Sequence, residues 1–70
     1  MKIQNKIREL RFFANEMTQA QLAEETGVSR QTIIAVESNK YTPSLELAFK
    51  IAAALGTTIE KVFFDEEAER

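Results

Sequence analysis

The stretch Gln19–Val36, QAQLAEETGVSRQTIIAV, decides the fold of this chain. Thr18 stands directly before it as an N-cap, and Gln21 follows three residues later, where it completes a capping box. Gly27 provides a tight turn, and Ser29 behind it is a second N-cap. These signals predict two short helices that meet at a steep angle. The two helices span about residues 18–25 and 29–37.

The side chains of this stretch divide into a packing set and an exposed set. Ala23 must be small because the two helices cross closely there. The residues that fasten the second helix to the first are apolar, namely Val28, Ile33 and Val36. The exposed first turn of the second helix is polar and consists of Ser29, Arg30, Gln31 and Thr32. Hydrogen-bonding side chains at such a helix end are suited to the major groove of DNA.

The residues before this stretch predict one more helix. Apolar side chains recur at i, i+4, i+7 and i+11, which places them on one helical face. They are Ile3, Ile7, Leu10 and Ala14. Asn15 follows and is suited to the left-handed conformation that ends a helix. The first helix is therefore expected over about residues 4–14, with Arg8 and Arg11 beside its apolar stripe.

The residues after the stretch predict a loop and two further helices. The loop covers residues 38–43, with Asn39 as its positive-φ residue. Ser44 caps a fourth helix that ends at Gly56, and Thr57 or Thr58 begins a fifth. The apolar stripe of the fourth helix consists of Leu45, Ala48, Ile51, Ala52 and Leu55, and the fifth helix carries Ile59, Val62 and Phe63.

The predicted fold class is all-α, a compact five-helix bundle that forms one domain over residues 1–64 and is followed by an acidic tail over 65–70. The alternation over Val62–Asp65, with Ile3 at the other end, is also compatible with a short terminal β-pair. Most phenylalanines are expected in the core. They are Phe12, Phe13, Phe49, Phe63 and Phe64. Because five phenylalanines exceed what one small core readily hides, we expect Phe63, Phe64 or a face of the fifth helix with Leu55 to be exposed and to be a candidate dimer surface.

Composition excludes several classes of protein. The chain has no Cys and no His, which excludes disulfides, zinc fingers and nucleophilic catalysis by Ser–His or Cys–His pairs. The carboxylates show no paired or metal-ligand spacing, so we predict no catalytic residue, no metal and no cofactor. Neither a signal peptide nor a membrane span is recognisable, which makes the cytoplasm the expected location.

The charge is distributed unevenly along the chain. Residues 1–58 carry six acidic and seven basic side chains, whereas residues 59–70 carry five acidic and two basic ones. The net charge of −2 does not by itself indicate nucleic-acid binding. The acidic end is either a solvated tail or a segment that repels DNA from one side and so orients binding.

The central stretch resembles the helix-turn-helix of phage-repressor-type regulators, the Cro/repressor or xenobiotic-response-element class. The resemblance rests on Thr18-Gln19-x-x-Leu22-Ala23-x-x-x-Gly27-Val28-Ser29-Arg30-Gln31-Thr32-Ile33, on Glu37, on Lys40-Tyr41-x-Pro43-Ser44-Leu45-x-Leu47-Ala48 and on Ile51-Ala52. It covers about residues 3–64. It implies a lambda-repressor-like DNA-binding domain. The implied function is that of a transcriptional regulator, most simply a repressor, which binds a pseudo-palindromic operator in double-stranded DNA as a homodimer. The resemblance leaves open whether the protein also contacts RNA polymerase.

The same resemblance implies roles for individual residues. Base edges would be contacted by Arg30, Gln31, Ile34 and Ala35. The DNA backbone would be contacted or flanked by Gln19, Ser29, Thr32, Asn39, Lys40 and Tyr41. An ion pair between Arg11 and Glu37 would tie the first helix to the third. Arginine can bind guanine and glutamine adenine through two hydrogen bonds, and an apolar side chain can touch the thymine methyl.

A different class of function competes with this one. The chain would then be a protein-interaction module, similar to an antitoxin, that keeps the fold without an operator. The acidic pI of about 5.1 and the apolar Ile34 favour it. The polar edge Arg30-Gln31-Thr32 and the pair Lys40-Tyr41 oppose it, because a pure interaction protein would not need them.

Overall fold

The structure is a computed structural model that describes residues 1–68. It contains two strands and five helices, in the order β1 (Ile3–Asn5), α1 (Ile7–Phe13), α2 (Gln19–Thr26), α3 (Arg30–Glu37), α4 (Leu45–Ala54), α5 (Ile59–Val62) and β2 (Phe63–Asp65). The predicted five-helix bundle is confirmed, and so are its helix-turn-helix and the terminal β-pair. None of the helices within residues 1–68 is long and apolar enough to cross a membrane.

Side-chain caps set the starts of the three central helices. The hydroxyl of Thr18 accepts from the backbone N–H of Gln21 at 3.0 Å, and the Gln21 side chain accepts in return from the N–H of Thr18 at 2.8 Å. Ser29 and Ser44 cap α3 and α4 in the same manner, each at 3.1 Å. Because each cap satisfies an amide that has no partner within its helix, three of the predicted helix starts are confirmed.

Left-handed backbone conformations separate the helices. Asn15 and Asn39 adopt φ values of 60° and 63°, as predicted, and Gly27 ends α2 at 76°. Glu16 also lies in this region, at 54°, which the sequence analysis did not anticipate. A residue with a Cβ atom rarely adopts this conformation. The link between α1 and α2 therefore turns through two consecutive left-handed residues.

One apolar core joins all five helices. Its fully buried side chains are Ile7, Leu22, Ile33, Val36, Ile51 and Val62. Ala23 is buried in the same cluster, as expected of a small residue where α2 and α3 cross. This core fixes one face of α3 and leaves the opposite face in solvent.

The two chain ends form a short antiparallel sheet, which we call the terminal ribbon (β1 and β2). Ile3 pairs with Asp65, and Asn5 pairs with Phe63. The predicted start of the first helix at residue 4 is therefore wrong, and so is the placement of Phe63 in the fifth helix. Helical periodicity could not show that residues 3–5 find backbone partners about sixty residues away. In the predicted tail, Asp65 lies in β2, and residues 69–70 lie outside the described residues.

Several apolar side chains are more exposed than predicted. Phe12, Phe13 and Phe49 are 62%, 79% and 55% exposed, although they were expected in the core. Leu45 was assigned to the apolar stripe of α4 but is 70% exposed, because α4 turns Leu47, Ala48, Ile51 and Ala52 toward the core instead. Leu55 is buried, so it forms no part of an exposed face.

Candidate nucleic-acid interface

The first turn of α3 presents a polar edge to solvent. The Ser29 hydroxyl accepts from the backbone N–H of Thr32 and lies 3.0 Å from the Thr32 hydroxyl, so these two side chains hold each other in place. Arg30 and Gln31, between them, are exposed. Backbone amides in the first turn of a helix have no intrahelical partner and form a favourable site for anions.

The next turn of α3 continues this edge. Ile34 lies four residues after Arg30, and Ala35 lies four residues after Gln31, so each pair shares a side of the helix. Ile34 is partly exposed and Ala35 is half-buried. The structure thus brings the four predicted base-contacting residues together on one side of α3.

A nearly buried ion pair ties α3 to the rest of the domain. Arg11 Nε lies 2.6 Å from Glu37 Oε2, and Arg11 Nη2 donates to Glu37 Oε1 at 3.2 Å. The two side chains are only 15% and 11% exposed. Arg11 also donates from Nη1 to the carbonyl oxygen of Met17 at 2.9 Å. This one guanidinium therefore joins α1, the link to α2 and the end of α3.

Gln19 belongs to the same polar cluster. Its side-chain amide donates to Glu37 Oε1 at 2.9 Å, a contact that the sequence analysis missed. Gln19 is half-buried at the start of α2, the position from which it was predicted to meet a phosphate. Glu37 thus positions both Arg11 and Gln19, and through Gln19 it positions the N-terminal end of α2 beside α3.

Basic side chains line the surface grooves on both sides of this cluster. Arg8 and Arg30 line one groove together with Gln19, and Lys6 and Arg8 line a second groove beside Ile34. Glu9 and Glu16 lie in the same grooves, so the excess of positive charge is small. Lys6 and Arg8 were not predicted as site residues. For Arg8, its position beside the apolar stripe of the first helix was a signal that could have indicated it.

The loop behind α3 uses its backbone to close the helix. The N–H groups of Lys40 and Tyr41 both donate to the carbonyl oxygen of Ala35, at 2.9 and 3.2 Å. The side chains of both residues are exposed. In contrast, the Asn39 side chain donates to Gln4 Oε1 at 2.6 Å and accepts from Asn5 Nδ2 at 3.1 Å. Lys40 and Tyr41 therefore face solvent, whereas Asn39 contacts the terminal ribbon.

The site has the properties of a binding surface. In the part of the chain that the structure describes, no group of Asp and Glu side chains is arranged to hold a metal ion. The arrangement instead combines an exposed helix edge, flanking cations and two helix starts. This combination is suited to binding a polyanion that presents hydrogen-bonding base edges.

Comparison with known proteins agrees with this geometry. A helix-turn-helix family model matches residues 7–62. An uncharacterized HTH-type transcriptional regulator of Methanocaldococcus jannaschii is 52% identical over 67 residues, covering 96% of this chain and 100% of that protein. A regulator of the same description from Bacillus subtilis is 45% identical over 65 residues, covering 93% and 97%.

Two further similarities concern a phage protein and a solved structure. An immunity repressor protein of Bacillus phage phi105 is 35% identical over 51 residues, which cover 73% of this chain and 35% of that protein. The crystal structure of a putative DNA-binding protein from Bacteroides fragilis superposes with a TM-score of 0.76 at 31% identity, covering 89% of this chain and 98% of that one.

Proposed function

Because this chain belongs to the helix-turn-helix family of DNA-binding transcriptional regulators, we propose that it is a repressor that binds a pseudo-palindromic operator as a homodimer. The observation that carries the proposal is the polar edge of α3, held outward by the Ser29 cap and anchored behind by the pair Arg11–Glu37. The repressor role is supported by the relative from phage phi105, which is an immunity repressor. Occupation of a promoter is the simplest mechanism, and activation through RNA polymerase is the alternative.

In the proposed complex α3 lies in the major groove. Arg30 and Gln31 read base edges, and Ile34 and Ala35 supply apolar contact to a thymine methyl. The DNA backbone is held by Gln19, Ser29, Thr32, Lys40 and Tyr41, together with the first-turn amides of α2 and α3. Since each protomer offers few cations, affinity depends on these amides and on pairing two copies.

Selection of DNA from a random duplex pool at physiological salt tests the proposal. We expect enrichment of an inverted repeat whose half-sites lie about one helical turn, roughly 34 Å, apart. Failure of the folded protein to enrich any sequence would instead favour the protein-interaction module, for which the exposed pair Phe12–Phe13 would be the first surface to examine.

Pairing of two copies is proposed through α4. Leu45 and Phe49 are exposed one turn apart, and Glu46 and Lys50 form an ion pair beside them at 3.3 Å. Two such helices packed antiparallel about a two-fold axis would match Leu45 with Phe49 of the second copy and each acid with a base. The start of α4 lies near α3, since Ser44 and Thr32 line one groove.

Replacing Phe49 by Glu is therefore expected to convert the dimer into a monomer and to weaken operator binding. Burial of a phenylalanine is worth about 1.5–3 kcal/mol, and both copies lose it, so the dimer dissociation constant should rise about hundredfold or more. Sedimentation equilibrium measures the association. Phe13→Glu, an equally polar change at an exposed residue of α1, is the matched control. If Phe13→Glu dissociated the dimer and Phe49→Glu did not, the interface would lie on α1 instead of α4.

Replacing Lys40 by Ala is expected to weaken binding to all duplexes alike. Its exposed ammonium would neutralise one phosphate, so the slope of log K against log salt should fall by about 1. Titration of operator and unrelated duplexes at several salt concentrations measures this. Lys61→Ala on α5 removes the same charge elsewhere and should leave the slope unchanged. A change in sequence preference with an unchanged slope would contradict a phosphate contact.

A further inference from the structure

We propose that the terminal ribbon positions the DNA-reading helix α3, with Asn5 as the positioning residue. The inference rests on the proposed function of α3, but it concerns a part of the chain that is not expected to touch base edges. Its basis is a set of side-chain hydrogen bonds that run from β1 to the C-terminal end of α3. Helical periodicity alone assigned Asn5 to the first helix, where such contacts were not foreseen.

Asn5 contacts two helices at once. Its Oδ1 accepts from the backbone N–H of Ile7, the first residue of α1, at 3.1 Å. Its Nδ2 lies within hydrogen-bond distance of the backbone carbonyls of Val36 and Glu37, at 3.1 and 3.3 Å, at the end of α3. It also lies 3.1 Å from Asn39 Oδ1, so its two hydrogens are shared among three acceptors. One partly buried amide group thus joins β1, the start of α1 and the end of α3.

These donors meet a specific need of α3. The last carbonyls of a helix have no intrahelical donor and must find one elsewhere. In α3, the loop supplies some of these donors. The N–H of Asn39 donates to the carbonyl oxygen of Val36, and those of Lys40 and Tyr41 donate to the carbonyl oxygen of Ala35. Asn5 supplies donors for Val36 and Glu37 from a strand more than thirty residues away in sequence. The C-terminal end of α3 is therefore closed jointly by the loop and by the ribbon.

A second set of contacts connects Asn39 through Gln4 to Glu66, the residue that follows β2. The Asn39 side chain donates to Gln4 Oε1 at 2.6 Å, and Gln4 Nε2 donates to Glu66 Oε1 at 3.0 Å. The N–H of Glu66 donates to the carbonyl oxygen of Lys2, the residue before β1, at 2.8 Å. Asn39 is the left-handed residue that turns the chain after α3. Both ends of the chain are thus connected to the turn that precedes Lys40.

The contacts between the terminal ribbon and α3 affect the orientation of α3. This helix has eight residues, so a small tilt at its C-terminal end also moves Arg30 and Gln31 at its start. Loss of the ribbon contacts should loosen the end of α3 and the loop without removing a charge from the DNA-facing surface. Discrimination between operator and unrelated DNA should therefore fall, while the number of phosphate contacts, and with it the salt slope, should not change.

Asn5→Ser is the variant that isolates this role. Serine can still accept from the N–H of Ile7 through its hydroxyl, but it carries no amide donors for the end of α3. Asn39→Gly is the second variant, because glycine keeps the left-handed turn at φ 63° and removes only the side chain. Asn15→Gly makes the same change at the other left-handed turn, at φ 60°, and is the matched control.

Two measurements on the full chain test whether the terminal ribbon positions α3. Amide hydrogen exchange reports the N–H groups of Lys40 and Tyr41, with Ile51 in the core as reference. Titration of the selected operator and of an unrelated duplex at several salt concentrations reports preference and salt slope. For Asn5→Ser we expect exchange at Lys40 and Tyr41 to accelerate about tenfold with Ile51 unchanged, and operator preference to fall about tenfold at constant slope. Asn39→Gly should act in the same direction, and Asn15→Gly should change neither quantity.

Other outcomes would overturn the inference. Unchanged exchange and preference would mean that the ribbon does not position α3. Equal weakening of binding to the operator and to the unrelated duplex for Asn39→Gly would mean that Asn39 contacts a phosphate instead, and equal acceleration at Ile51 would indicate general destabilisation. If the unaltered protein prefers no duplex, the proposed function fails, and the exchange rates alone still decide whether the ribbon holds the end of α3.

Discussion

Replacing Glu37 by Ala is expected to lower the free energy of unfolding by about 3–5 kcal/mol, the usual effect of removing one partner of a buried ion pair. The Arg11 guanidinium, 15% exposed, would lose its counter-ion while it stays largely out of water. Gln19 would lose its acceptor at the same time. A chain of 70 residues has a total stability of roughly 4–10 kcal/mol, so this loss is a large share of the free energy of unfolding.

Urea denaturation followed by far-ultraviolet circular dichroism measures this loss. Glu67→Ala is the matched control, since it removes one acid from the exposed pair with the N-terminal ammonium and should cost no more than about 0.5 kcal/mol. The double variant Arg11→Met with Glu37→Leu should recover part of the stability, because an apolar pair leaves no buried charge unpaired, while the Met17 carbonyl and the Gln19 amide still lose their partners. A loss below about 1 kcal/mol for Glu37→Ala would show that water reaches and satisfies Arg11.

Replacing Arg30 by Glu is expected to abolish operator binding in a protein that remains folded. Arg30→Ala alone should cost about 1–3 kcal/mol and relax the preference at one operator position, because one bidentate base contact is lost. The glutamate adds repulsion from the phosphates that surround the groove. Gln31→Ala should relax a different position by a similar amount. Arg30 is exposed in the first turn of α3, so neither substitution of Arg30 disturbs the core.

Fluorescence anisotropy with the selected operator and its single-base variants measures both effects. Lys61→Glu, which makes the same charge reversal on α5, is the control and should leave operator preference intact, because α5 packs against α4 and β2. If Arg30→Ala changed neither specific nor non-specific binding, the assignment of α3 to the groove would be wrong. If Arg30→Glu and Lys61→Glu weakened binding equally, only the total charge would matter.

The local signals in the sequence predicted the central helices well. Thr18, Ser29 and Ser44 are recognisable as caps because a short polar side chain can satisfy an amide two or three residues away. Gly27 and Asn39 are recognisable as turns because few residues adopt positive φ. Each of these signals depends on neighbouring residues alone, which explains why α2, α3 and α4 begin within one residue of their predicted starts.

The contacts between distant segments were not visible in the sequence. Periodicity placed residues 4 and 5 in a helix and Ile3 on its apolar stripe, whereas the backbone of residues 3–5 pairs with residues 63–65. The contact between Gln19 and Glu37, like the contacts of Asn5 with the end of α3, depends on how the helices pack. The exposure of Phe12, Phe13 and Phe49 likewise depends on which side of α1 and α4 the core occupies.

The sequence by itself determined the class of the protein, because a capped helix, a glycine turn and a second capped helix with apolar anchors are properties of one short stretch. It also determined which side chains α3 presents, since these follow from the period of the helix. Only the tertiary structure decided what holds α3 in place. Hydrogen bonds from Arg11, Gln19 and Asn5 form only when segments far apart in the chain have been brought together by the burial of a shared core.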